Sequence, residues 1–428
     1  MKRKIIGILV CMLLFSMVIP CNGTMQNAHS NDKNIIIVEE ISNSPTLQDP
    51  EKITPFWYKT WGTSDNNWAM GVDSHDEYIY SVGVSSFSTT QHAFILKYNT
   101  DGDLIWDKTW EGEGIAGATD VTVHNEYIYV SGISGRSDNI DATLTKFDTD
   151  GNLLWSKTWG DEYESVLAMG ISDYNDYIYL SGTVEGNIFL LKYDNNGNLI
   201  WNQTWTKYTG EGMRVVASEY GIFVTGVGSV EESEDAVLLK YDHDGNLVWE
   251  RLWSDIETQW SIGLDISNNY VYVTGHTSSP EYHAFLLKYN VDGDLIWEKT
   301  WGGQGTEEGI ALKTYENFIY VAGETHSYDE GGGDIFLLKY SDDGTLSWAK
   351  TWGDTEEELP YDMDIENEMI YIAGYTESYG AGGRDVLLLK CNLKGGKARS
   401  KLNFYDSFYS FLQGLPNSFL NLIKLFQK

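Results

Sequence analysis

The side chains best supplied for chemistry in this sequence are carboxylates, 63 Asp and Glu against 29 Lys and Arg in 428 residues, for a formal charge of −34. Many fall just downstream of a recurring Trp-x-x-x-Trp element: Asp65, Glu113, Asp161, Glu211, Asp255, Glu307, Glu308, Asp354 and Glu357. Trp68, Tyr163, Tyr208, Trp260 and Tyr361 lie in the same segments, where Lys207 is the one basic residue. Such acids attract cations, cationic polymers or basic protein surfaces over about 10 Å at 0.1 M salt. Paired, they could supply the acid and base of glycoside hydrolysis, for which Glu113, Asp161 and Glu307 are candidates. The aromatic rings could stack on a sugar or an apolar side chain. A solvated acidic rim and ring packing in a wall are the plainer accounts, and the sequence leaves both open. No catalytic pair is singled out.

Other chemistries are poorly supplied. His92, His276, His283 and His326 fall in a second set of connections with Arg136 and Arg384, but their spacing imposes no metal site as a helical HExxH would. No metal ligands and no cofactor are expected, with Ca2+ on the acidic segments left open. Arg136, Arg214 and Arg384 are the few arginines near enough to clamp a substrate carboxylate. No Ser-His-Asp or nucleotide-loop pattern stands out. The charge excludes nucleic acid, whose binding relies on basic groups replacing phosphate counterions.

What positions these residues is a repeat. The pairs Trp57/Trp61, Trp106/Trp110, Trp155/Trp159, Trp201/Trp205, Trp249/Trp253, Trp297/Trp301 and Trp348/Trp352 recur at intervals of about fifty residues, absorbing fourteen of the sixteen tryptophans. Between pairs run four strand signals, here lettered a to d: a weaker one such as 69–72, then EYIYVSG-, AFLLKYN- and DLIWEKTW-type runs. Four short strands per repeat describe a propeller blade, with a innermost. The middle strands, such as Tyr127-Ile128-Tyr129-Val130, are apolar on both faces, as sheets between sheets require. Strands c and d join through Asn99-Thr100-Asp101-Gly102-Asp103 and its relatives, read as hairpin turns and not calcium loops, since no distal bidentate Glu follows. Within each Trp pair the middle residue is Lys59, Lys108, Lys157, Gln203, Arg251, Lys299 or Lys350, and inter-blade packing is the expected role.

The expected fold is therefore an all-β, seven-bladed β-propeller of four-stranded antiparallel blades over residues 54–392. The last repeat lacks a Trp pair and an unattached pair stands at 53–61, so the N-terminal strand is expected to complete the last blade, removing two open edges. The d-to-a and b-to-c connections then share one face around the channel mouth, and rigidly held loops are where binding usually resides.

Ala284-Phe285-Leu286-Leu287-Lys288-Tyr289-Asn290 through Trp297-Glu298-Lys299-Thr300-Trp301-Gly302-Gly303 resembles the consensus of the seven-bladed β-propeller repeat family (SBBP, "beta-propeller repeat") of bacterial and archaeal surface proteins. The GNLxW element is also similar to the tryptophan-docking motif of quinoprotein dehydrogenases, without the cysteine pair many of them carry. The resemblance implies a fold and an extracellular setting, and no transferable activity.

The ends carry separate signals. Lys2, Arg3 and Lys4 followed by apolar 5–19 read as a signal peptide over 1–23, with a linker at 24–53. Cys21 raises lipidation, which Pro20 disfavours. Cys391 alone would remain in the mature ring, so no intrachain disulfide is available. The tail, 393–428, is basic: six Lys and Arg against Asp406 leave −39 for the rest of the chain. Phe404, Phe408 and Phe411, then Phe419, Ile423 and Phe426, recur at helical spacing, as in two short amphipathic helices that could meet an anionic membrane, a partner or the acidic propeller itself.

The expectation for function is a non-catalytic, secreted or cell-surface binding scaffold, monomeric as a propeller, recognising an extracellular protein or glycan on its acidic loop face. The alternative is a propeller hydrolase or lyase acting on extracellular polysaccharide through loop carboxylates.

Overall fold

The computed structural model describes residues 49–395 apart from 88–89, 113, 137–138, 161–164, 231–232, 255–257, 279–281 and 329–330. The chain divides after Gln48, and the described residues all belong to the second unit, Asp49–Lys428. The expected signal peptide, Cys21 and the tail residues Phe404, Phe408, Phe411, Phe419, Ile423 and Phe426 lie outside the described residues.

Every regular element described is a β-strand. In each repeat the a, b, c and d strands pair antiparallel in sequence order, as Val166–Tyr174, Tyr177–Val184, Asn187–Asp194 and Leu199–Trp205 do. Successive a strands touch around the axis, and Glu358–Glu366 touches Asn67–His75, so the protein is an all-β propeller. The strand Trp57–Trp61 pairs with Asp385–Asn392, in register Trp57 to Lys390 and Trp61 to Val386, and serves as the outer strand of the sheet that the chain's last strands begin.

The expected set of seven separate four-stranded blades requires correction, while the expected helical tail lies outside the described residues. The described residues contain no helix, and their strands form six hydrogen-bonded sheets: four of four strands, one of five and one of eight. The eight-stranded sheet arises because Gln91, at the start of a c strand, bridges in parallel to Ile115 of the next a strand, joining two meanders. The fifth strand of the other is Glu51–Lys52, at the end of the expected linker. It runs parallel to Leu346–Trp352, and Ile53 N donates to Thr351 O at 2.7 Å. An outer strand has an unpaired edge, and here the chain's own approach segment covers one.

The Trp pairs lock neighbouring repeats together. The first indole donates to a carbonyl in the next c-to-d turn: Trp57 to Thr100 O at 3.2 Å, Trp106 to Thr149 O at 3.3 Å, Trp249 to Val291 O at 3.2 Å. The c-strand lysine reaches the same carbonyls, Lys97 to Thr149 O at 2.8 Å and Lys390 to Thr100 O at 2.6 Å. The turn glycine is needed twice over: Gly102 has φ +82°, and a Cβ there would lie 2.6 Å from Lys59 Cε and 2.9 Å from the Trp57 ring. The second indole packs on the next repeat's Phe, as in Trp61–Phe94 and Trp301–Phe336, with centroids 4.8 and 4.6 Å apart. Cys391 is buried and free, its thiol pushed up to about 12 by burial.

Candidate recognition site at the channel mouth

The a strands position charge along the axis. Each carries a bulge, with Met70, Thr119, Met169, Ile262, Ile310 and Tyr361 as the extra residues and Met213-Arg214 in the fourth repeat. A bulge re-aims the residues around it. Arg214 Nη1 lies 2.7 Å from Asp120 Oδ2 and its Nη2 3.1 Å from Asp362 Oδ1, so one guanidinium spans strands from three repeats. Further along, Lys313 Nζ is 3.3 Å from Asp364 Oδ1.

The axial acids have a structural occupation. Neighbouring a strands are mostly not paired to each other, which leaves backbone N–H groups that need acceptors. Asp362 accepts from Val72 N at 2.9 Å, Asp120 from Ile171 N at 3.0 Å, Asp73 from Val123 N at 2.5 Å and Asp265 from Thr314 N at 2.6 Å. Burial, with Asp364 adding, holds the Asp73 carboxyl well above its usual range, and burial lifts Asp362 to about 6 despite Arg214. Burial opposes the charge of Lys313, yet Asp364 and Asp265 outweigh it and hold the ammonium above its ordinary value.

The mouth on the d-to-a side is built from two repeat positions that face each other across strands a and b. The pairs are Trp68/Val84, Gly117/Ile133, Leu167/Thr183, Glu211/Val227, Trp260/His276, Glu308/Glu324 and Leu359/Tyr375. The b-strand member follows the strand's glycine. It is small or aliphatic in four repeats and His276, Glu324 and Tyr375 in three consecutive ones.

Those three make a polar cluster. Trp260 stacks on His276, with centroids 6.2 Å apart and planes 19° apart, and donates Nε1 to Glu234 Oε2 at 2.7 Å. His276 Nδ1 is 4.0 Å from Glu308 Oε2 and has no hydrogen-bond partner among the described residues. Glu324 is 7% exposed, and its buried Oε1 lies within ion-pairing distance of His326 Nε2, at 3.3 Å, with no other partner among the described residues. Burial, opposed by His326 and reinforced by Glu308 and Glu357, raises the Glu324 carboxyl to about 7. Tyr375 donates to Glu357 Oε1 at 2.7 Å, and Arg384 lies 4.5 Å over the Tyr375 ring with Nη2 3.1 Å from Glu357 and Nε 2.8 Å from Glu377. Tyr361, buried, feels the charges of Arg384, Glu357, Glu324 and Glu308, and burial raises its phenol above the usual range.

The acids and aromatics expected from sequence are dispersed. Glu308, Trp260 and Tyr361 enter this cluster. Glu307 does not: fully buried, its carboxylate accepts from Gly303 N at 2.9 Å, Thr325 Oγ1 at 3.0 Å and Ser327 N at 3.2 Å, a latch that Glu358 repeats in the next repeat. Asp354 accepts from Tyr379 Oη at 3.2 Å beside that second latch. Asp65 is exposed, Trp68 partly buried opposite Val84, and Glu211 partly buried opposite Val227. Tyr208 packs edge-on against Trp205, 5.8 Å between centroids, while Lys207 pairs with Glu250. Glu113, Asp161, Tyr163 and Asp255 lie outside the described residues. Of the histidines, His92 stands 3.8 Å from Glu111 and His283 3.3 Å from Gly303 O. Among the described residues no three His, Cys, Asp or Glu are grouped as metal ligands.

Residues 49–230 match the family model described as outer membrane protein assembly factor BamB. That match supports a propeller repeat of this type and stops short of the narrower repeat family. The sequence matches no curated protein. Among solved structures, the polysaccharide lyase Uly1 is 11% identical with a TM-score of 0.51, covering 82% of this chain and 94% of its own. The WD40 domain of Toxoplasma gondii coronin gives 11% and 0.51, covering 82% and 90%, and the WD40 propeller domain of Doa1 13% and 0.50, covering 82% and 100%. At these identities the likeness is one of fold.

Proposed function

We propose that the protein is a non-catalytic binding scaffold whose recognition surface is the channel mouth formed by Trp260, His276, Glu308, Glu324, Glu357 and Tyr375. The observation that supports this most directly is the departure from the repeat. Three successive repeats put His, Glu and Tyr where the others hold small or aliphatic residues, on strands paired in the same register as the rest. Pre-set polar groups on a rigid scaffold bind without paying much ordering entropy.

The proposed setting is secreted or cell-surface, on the basic-then-apolar N-terminus, and the match to an outer membrane assembly family is compatible with it. The partner would be an extracellular protein or glycan. The tail remains a candidate membrane contact, and co-sedimentation of the full chain with anionic liposomes, abolished by truncation at Ser400, would support it. Equal sedimentation without the tail would refute it.

The test of the scaffold reading is a screen of the full chain on glycan and peptide arrays, in calcium and again in EDTA, beside the Trp260→Ala variant. Specific capture lost in the variant supports the mouth, and capture indifferent to it counts against it. Calcium-dependent capture would add the cation to the site.

One observation favours the polysaccharide-enzyme reading. A buried carboxyl raised to about 7 beside other acids has the protonation state a general acid needs. Hydrolysis or elimination of an array-positive glycan, lost in Glu324→Gln, would establish it.

A further inference from the structure

Glu308 and Glu324 stand directly opposite each other on paired strands. Like charges in that position are destabilising, and burial sharpens the cost. The pair nevertheless sits in a wall where other repeats place Val84, Ile133, Thr183 or Val227. The same mouth shows elsewhere how such charge is settled. Arg384 is held there by two carboxylates, Glu357 and Glu377, and by the face of Tyr375. At Glu308 and Glu324 there are again two carboxylates and a ring close by, Trp260 stacking on the His276 that faces Glu308, while the basic groups paired with them are the imidazoles of His276 and His326.

Resting on the reading of the mouth as the recognition surface, we infer that the Glu308/Glu324 pair is a subsite for a protonated primary amine, an alkylammonium seated between the carboxylates with its carbon chain along Trp260. An ammonium offers three donors, which suits carboxylates on two strands and the buried Oε1 of Glu324, met among the described residues by His326 alone. An indole face adds attraction to a cation. A divalent metal fits less well, because no three ligating side chains are grouped there among the described residues.

The test uses the full chain at low salt and pH 8. Spermidine and N-acetyl-lysine methylamide are titrated by calorimetry and by Trp fluorescence, with the neutral side-chain-acetylated lysine analogue and CaCl2 as comparisons. The inference expects saturable binding of an amine, loss of binding with the acetylated analogue, and weakening of about tenfold or more in Glu308→Gln and Glu324→Gln. Spermidine against the lysine analogue separates a free polyamine from a protein side chain. Near-isosteric variants with wild-type near-UV circular dichroism keep the comparison valid. No amine binding, amine binding unchanged in both variants, or tighter CaCl2 binding that excludes the amine would each overturn the subsite. Array capture that depends on Trp260 but not on Glu324 would overturn it while leaving the scaffold reading standing.

Discussion

Two arcs of the same ring meet the channel mouth differently. Over the first four repeats the position after the b-strand glycine is Val84, Ile133, Thr183 or Val227, and over the last three it is His276, Glu324 or Tyr375. Behind that position the arcs share contacts: an indole on the next repeat's Phe, as in Trp61–Phe94 and Trp301–Phe336, and an indole and a lysine on the next turn's carbonyl, as Trp106 and Lys97 do on Thr149 and Trp297 and Lys288 on Asp342. Shared framing with different mouths separates what the repeat needs to fold from what this chain adds to it.

The largest effect should come from what both arcs share. Deleting residues 54–61 removes the strand paired with Asp385–Asn392 and should abolish cooperative unfolding of the ring; a retained single transition would show that closure is dispensable. Arg214→Ala leaves Asp120 and Asp362 buried without their cation and should cost about 3–5 kcal/mol in denaturant titrations. Trp159→Ala and Trp301→Ala, one in each arc and each packed on the equivalent Phe, should each cost roughly 3–5 kcal/mol and by similar amounts; a large inequality would break the claim of a common frame.

The arcs should separate in their response to pH. Glu324 is faced by Glu308, Glu357, His326 and Tyr361, and its folded pKa of about 7 lies above the 4.5 of the free carboxyl. The folded state therefore holds the proton more tightly, and stability falls as pH rises through that window, by on the order of 3 kcal/mol. Glu324→Gln should flatten this part of the profile and stabilise the protein at pH 8. Val84→Glu, the reciprocal change in the other arc, should destabilise at pH 8 and less at pH 5. If both variants leave the profile unchanged, burial of the carboxyl is not felt.

Much of the frame was legible in the sequence because Trp spacing, turn glycines and alternating apolar runs report local geometry, and the unattached Trp57/Trp61 pair marked the seam. The sheet count was not: the Gln91–Ile115 bridge and the edge strand Glu51–Lys52 arise where loops and an approach segment settle in space. At the mouth, abundance of acids misdirected the reading toward Glu307, whose carboxylate latches its own repeat. Arg214 was visible only as one of few arginines, since its pairing with Asp120 and Asp362 crosses most of the chain. Glu324 and Tyr375 had a signal available, the residue after each b-strand glycine, which shows only when the repeats are compared column by column.

The most direct test is to return the polar arc to the repeat's aliphatic type. The triple substitution His276→Val, Glu324→Val and Tyr375→Val, compared with wild type for capture on glycan and peptide arrays and for thermal stability, should lose specific capture while remaining folded. Capture retained at wild-type strength by a folded triple variant would contradict the claim that this arc is the recognition surface.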